Sequence, residues 1–137
     1  DGTLHAFGPD GKALWRWSPA EPAVPVSAVT ASLHASPGAE WAVAYRDGQV
    51  HIVSALGAPL RRIKLDVPAL HLTPIPGEDG LAGIAVTTGG AAPALMALAS
   101  DGTILWSLPL AESSVAAPAI INGRLIAPDG LAAHVVD

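Results

Sequence analysis

The sequence contains no cysteine. Disulfides, thiolate metal sites, cysteine nucleophiles and a lipid-bearing cysteine are therefore excluded within these 137 residues, while the redox compartment stays open. Positive charge is also scarce: 7 Lys and Arg stand against 12 Asp and Glu, for a net charge of −5, and only Arg61, Arg62 and Lys64 cluster. Nucleic acids and anionic membranes need a concentrated basic face, so neither is expected as a partner. Long apolar runs are missing too. Half the residues are hydrophobic, but 14 Gly and 13 Pro break them into short stretches. Even the apolar region 81–96 carries Thr87-Thr88-Gly89-Gly90 in its middle, short of the roughly 18 to 20 residues of a membrane helix. No phosphate-cradling glycine loop, serine nucleophile elbow or His-Glu-x-x-His occurs. Helical spacing at Leu95, Leu98 and Ala99 is closed off by flanking Gly and Asp-Gly pairs. Asp1-Gly2 has neither the charged start nor the apolar core of a signal peptide, so targeting information is expected outside this segment.

What the sequence does have is a repeat. Ala6-Phe7-Gly8-Pro9-Asp10-Gly11-Lys12-Ala13-Leu14-Trp15 aligns without gaps on residues 52–61, which run from Ile52 to Arg61, and on 97–106, which run from Ala97 to Trp106. The copies lie 46 and 45 residues apart. Short apolar runs and tight turns at a period of roughly 40 to 50 residues are what a four-stranded β-propeller blade produces. The expected fold is all-β: a partial β-propeller of four-stranded antiparallel blades, about three blade periods long. A propeller needs about four to eight blades, so this chain alone is not expected to close the ring.

Residues 1–18 read as a half blade, 26–65 and 70–108 as complete blades, and 115–137 as a partial blade. Ser18–Pro25 holds three prolines and should be a crossover, because proline cannot pair inside a sheet. The inner strands are expected at 28–33 and 70–73, with 74–80 forming a turn. Asn122-Gly123 between apolar runs is a strong hairpin signal, and Asp129-Gly130 a further turn.

The repeated Ala-x, Asp-Gly, Leu-Trp pattern, with a proline-bearing crossover and then Ala117-Pro118-Ala119-Ile120-Ile121-Asn122-Gly123-Arg124-Leu125, resembles the pyrroloquinoline-quinone-like (PQQ-like) repeat family. Its docking motif usually runs Ala-x-Asp-x-x-Thr-Gly-Lys-x-x-Trp. Here the turn is one residue shorter, and Arg61 stands where the middle copy should have Trp. The resemblance implies that Trp15 and Trp106 dock one blade on the next, with Gly11, Gly57 and Gly102 in the turns. It also implies an extracytoplasmic setting, periplasmic or at the cell surface.

Candidate chemical groups are few. His5, His51 and His134 fall on equivalent third strands, which stand about 10 Å apart between stacked sheets, so a shared metal role is not expected. His34 and His71 are placed on inner strands near a central channel. Six Asp-Gly pairs occur, at Asp1, Asp10, Asp47, Asp79, Asp101 and Asp129, and tight-turn chemistry accounts for all of them. Glu78-Asp79 lacks the alternating oxygen ligands of a calcium loop. No catalytic residue, cofactor or metal is expected. The function expected is that of a non-catalytic scaffold or extracytoplasmic sensor. Its partner would be a protein, or the remaining blades of a longer chain, meeting a surface around Pro22, Pro25, His34, His71, Glu78 and Asp79. The alternative is a portion of a quinoprotein dehydrogenase whose site lies in other blades.

Overall fold

A computed structural model describes residues 1–34, 38–77, 82–130 and 132–136. The described chain is all β, in four separate antiparallel sheets. The first pairs β1 (Leu4–Phe7) with β2 (Ala13–Trp17). The second runs in the order β3 (Pro25–Ala31), β4 (Glu40–Tyr45), β5 (Gln49–Val53), β6 (Pro59–Lys64). The third repeats that order with β7 (Ala69–Pro76), β8 (Ala82–Thr88), β9 (Ala94–Leu98) and β10 (Ile104–Pro109). The fourth holds β11 (Ala119–Ile121), β12 (Arg124–Asp129) and β13 (Ala132–Val136). These are blades of a propeller that the described strands do not close.

The sequence pattern explains the stacking. Successive side chains on a strand point to opposite faces, so a sheet covered on both sides needs apolar residues at nearly every position. In β8, Ile84 and Val86 enter the core shared with the second sheet, beside Leu33, Ile52 and Leu72, whereas Ala85 enters the core shared with the fourth, beside Leu95, Leu110 and Leu125. Ala42, Ala44, Ala85, Ala97 and Ala127 are all buried, and their small side chains let neighbouring sheets approach closely.

Four expectations need correction. Residues 74–76 are not part of a turn: Pro74 and Pro76 belong to β7 and pair with Ile84 and Ala82. The strand lies at a sheet edge, where a missing N–H on the unpaired side removes no ladder bond. Pro25 likewise opens β3 and pairs with Tyr45, so the crossover ends at Val24. The first strand of the second sheet stops at Ala31, because the Ser32 carbonyl accepts the Ala82 N–H of the third sheet and the Leu33 N–H donates to the Glu40 carboxylate. His34 therefore lies in the following loop, not on an inner strand. Asp129 ends β12 and pairs with Ala132, so it belongs to the strand and not to the turn. The Glu78-Asp79 pair falls outside the described residues.

The three repeat copies fold alike in detail. Each has the same two turn hydrogen bonds: Gly8 N–H to Lys12 and Gly11 N–H to Gly8, Ser54 to Ala58 and Gly57 to Ser54, Ala99 to Thr103 and Gly102 to Ala99. The closing glycines sit at φ of 77°, 84° and 88°, a region that L side chains rarely adopt. Gly11→Ala should therefore cost about 1 kcal/mol from backbone strain alone. Gly57→Ala should cost about 2–4 kcal/mol, because its methyl would also lie 2.8 Å from the Trp15 ring. Urea denaturation of both variants checks the difference.

Candidate functional site

The chemistry of the chain concentrates where one sheet meets the next. Along β2, β6 and β10 the register slips by one residue, leaving Leu14, Leu60 and Leu105 unpaired as β-bulges at equivalent repeat positions. A bulge bends the strand and re-aims the residue after it. That residue is Trp15, Arg61 or Trp106. The Trp15 indole N–H donates to the Ala55 carbonyl at 2.9 Å, and its ring covers Gly57. Arg61, which replaces the middle Trp, makes a similar reach to the next carbonyl along the corresponding turn: its Nη1 donates to the Asp101 carbonyl at 3.1 Å, while Ile63 covers Gly102. Trp106 instead borders a cavity of about 210 Å³ with Ile75, Pro76, Ile120, Leu125 and Val136. Gly11 has no atom within 4 Å of the place its Cβ would take. The bulge leucines went unnoticed in the sequence, although a Leu before the Trp or Arg in all three copies was the available signal.

Between the first and second sheets lies a buried polar cluster. His51 is buried, with Trp17 at 4.9 Å between ring centroids and Tyr45 edge-on at 5.5 Å. Its Nε2 shares a 3.1 Å hydrogen bond with Gln49 Oε1, and the Gln49 amide donates to Asp47 Oδ2 at 2.6 Å. The Tyr45 hydroxyl donates to the Gly2 carbonyl at 2.9 Å, tying the start of the chain to the second sheet. Burial, with Arg62 adding to it against the opposing pull of Asp47, holds the imidazole below its ordinary pKa. Burial, with Asp47 adding to it, pushes the Tyr45 phenol up to about 12.

The other histidines stand in unrelated settings, although His5, His51 and His134 share a strand type. His5 stacks loosely on Phe7 at 6.3 Å. His134 Nε2 lies 2.7 Å from Asp129 Oδ2, whose other oxygen accepts the Glu112 N–H at 3.0 Å. That backbone bond first, and the His134 contact after it, keep the Asp129 carboxyl below its usual range. His34 Nδ1 is buried 3.8 Å from Glu40 Oε1 and makes no hydrogen bond, and His71 on β7 pairs with Thr87 on β8. Asp10 and Asp101 accept the N–H groups of Lys12 and Thr103 inside their turns, which lowers both carboxyls. Pro22 and Pro25 are exposed. Trp41 joins Leu4, His5, Ala6, Trp15 and Ala28 around a cavity of about 50 Å³. Among the described residues no group of three or more His, Asp or Glu converges as a metal ligand set.

The family described as outer membrane protein assembly factor BamB, a PQQ-like repeat family, matches residues 1–135. The chain belongs to the PQQ-like repeat family. No curated protein matches the sequence. A crystal structure of a protein of unknown function from Bacteroides caccae shares the fold, with a TM-score of 0.65 at 13% identity over 98% of this chain. The chain spans about half of that structure, 49% of its length.

The PQQ-like repeat here puts a neutral imidazole between two sheets, which makes their contact sensitive to pH. The unfolded chain takes up the His51 proton near 6.5, whereas the folded chain resists it to lower pH. The unfolded state then holds more protons in that window, so stability falls as pH drops below about 6.5. Urea midpoints between pH 7 and 5 should show this fall, with a shallower slope in His51→Gln, which keeps a polar partner for Gln49 but does not titrate.

Proposed function

We propose that the chain is a non-catalytic propeller segment that acts as a protein-interaction scaffold in an extracytoplasmic compartment. One observation carries this reading: Leu14, Leu60 and Leu105 are 67%, 46% and 60% exposed at equivalent bulges on the outer strand of three successive sheets. A bulge interrupts the edge ladder and discourages indiscriminate strand addition. The leucine remains as a side-chain contact, and a row of such residues offers a partner protein repeated apolar footholds. Val24, in the crossover near Pro22, is a further exposed apolar residue.

The titratable side chains support the same reading through the work they do. Asp10, Asp47, Asp101 and Asp129 accept backbone N–H groups that shape turns, and the Glu40 carboxylate accepts the Leu33 N–H. These hydrogen bonds give each carboxylate a task in holding the backbone, which the scaffold reading accounts for without catalysis. The matched family's description as an outer membrane assembly factor favours a scaffold outside the cytoplasm.

The rival is a share in a quinoprotein dehydrogenase. The full-length protein, supplied with pyrroloquinoline quinone and calcium, should give no dye-linked oxidation of alcohols or sugars; turnover would overturn the scaffold reading. In the same protein, Leu60→Ser and Leu105→Ser together should weaken partner binding by about tenfold or more while leaving the unfolding midpoint nearly unchanged, because both side chains already face solvent.

A further inference from the structure

Two basic side chains at the rim of the second sheet lack an acidic partner among the described residues. In a chain of net charge −5, three of the 7 Lys and Arg stand together on β6, at Arg61, Arg62 and Lys64. Arg61 and Ile63 turn toward the third sheet, where one holds the Asp101 carbonyl and the other covers Gly102. Side chains alternate along a strand, so Arg62 and Lys64 share the opposite face, about 7 Å apart. They pair with His51 and Gln49 on β5. Because the His51 ring meets Trp17 of the first sheet, both bases lie on the face turned toward that sheet, at its outer strand. Both are exposed, and neither forms a salt bridge among the described residues, whereas Lys12 lies 3.1 Å from Asp10. Their cross-strand neighbours, Gln49 and His51, offer no negative charge. Like charges so placed repel, and nothing in the stacking of sheets requires them. Leu60, 46% exposed at its bulge, precedes them on the same strand.

We propose that β6 is the recognition strand of the scaffold and that its partner is an acidic, extended protein segment, with an apolar side chain against Leu60 and two carboxylates at alternate positions meeting Arg62 and Lys64. This rests on the scaffold reading and names the chemistry of the partner. Alternate residues of an extended chain are about 7 Å apart, which is the spacing of the two bases. The Arg62 guanidinium can take a carboxylate through two parallel N–H donors, while the Lys64 ammonium holds the second as a point charge. The chain as a whole repels an acidic segment, which confines it to the rim where bases outnumber acids. A nucleic acid would need a longer basic stripe, and an anionic membrane draws on clusters of about four to eight bases.

The probe is a fluorescein-labelled peptide carrying Leu-Thr-Glu-Thr-Glu, with Leu-Thr-Gln-Thr-Gln as its counterpart, each titrated with the full-length protein. By anisotropy the Glu peptide should bind with a Kd of about 10–100 µM, and the Gln peptide about tenfold or more weakly. Arg62→Gln combined with Lys64→Gln should bring the Glu peptide down to the level of the Gln peptide. The unfolding midpoint should stay nearly unchanged, because both side chains are exposed. Arg124→Gln, on the fourth sheet, should leave binding as it is. In the unsubstituted protein the preference for the Glu peptide should shrink as salt rises, a readout that needs no variant. Equal affinity for the two peptides would overturn the proposal, as would a Glu peptide that fails to bind at about 1 mM or loses equally to Arg124→Gln. So would binding to phosphatidylcholine vesicles with about a quarter phosphatidylserine that the double substitution abolishes, since the bases would then serve a membrane. Failure here is distinct from failure of the scaffold reading. If only the acidic-segment assignment is wrong, Leu60→Ser with Leu105→Ser still weakens partner binding; dye-linked turnover would remove the scaffold itself.

Discussion

No sheet in this protein can cover both of its faces unaided, and every other feature answers to that constraint. A two- to four-stranded sheet with Ile84 and Val86 on one face and Ala85 on the other folds only between neighbours. The neighbours must come close, which is why alanine recurs on the central strands. They must also stay in register, because a flat apolar contact by itself allows one sheet to slide over another. Directional contacts at the outer rim supply the register.

The rim contact rests on two backbone irregularities acting together. A bulge at Leu14 or Leu60 turns the next side chain toward the following sheet, and a left-handed glycine at Gly57 or Gly102 removes the Cβ that would block the approach. The substitution of Arg61 for tryptophan shows how much of the device lies in the backbone. Guanidinium and indole share little except an N–H donor on a long, flat group, yet both reach a turn carbonyl in the next sheet. With arginine in place, the glycine is covered by Ile63 instead of by the ring. The apolar seal and the hydrogen bond, united in Trp15, are divided between two residues in the middle copy.

Much of this was legible in the chain itself, for a physical reason. Asp-Gly turns and short apolar runs are local chemistry, so the period and the order of strands could be read from residues 6–15, 52–61 and 97–106 alone. What escaped reading depends on partners distant in sequence. Pro74 and Pro76 look like a turn until it is known that their strand lies at an edge. Leu33 looks like a strand residue until the Glu40 carboxylate takes its N–H. The equivalence of His5, His51 and His134 was visible, but the repeat fixes only their strand type. The aromatic cage around one and the Asp129 beside another come from residues outside the repeated motif.

That last contrast bears on where function can reside. A residue that recurs in every copy serves the contact between sheets, since that contact is what recurs. Departures from the repeat are free of that duty and must be explained one at a time. Arg61 is explained by the contact it still makes, and His51 by the polar cluster that seals the first sheet to the second. The bulge leucines are the opposite case: they recur, yet they are exposed and add little to the contact they flank. A small polar residue at the bulge would turn the strand equally well and would cost less in exposed apolar surface. Leucine in all three copies is therefore what the proposed contact with a partner protein accounts for and the stacking of sheets does not.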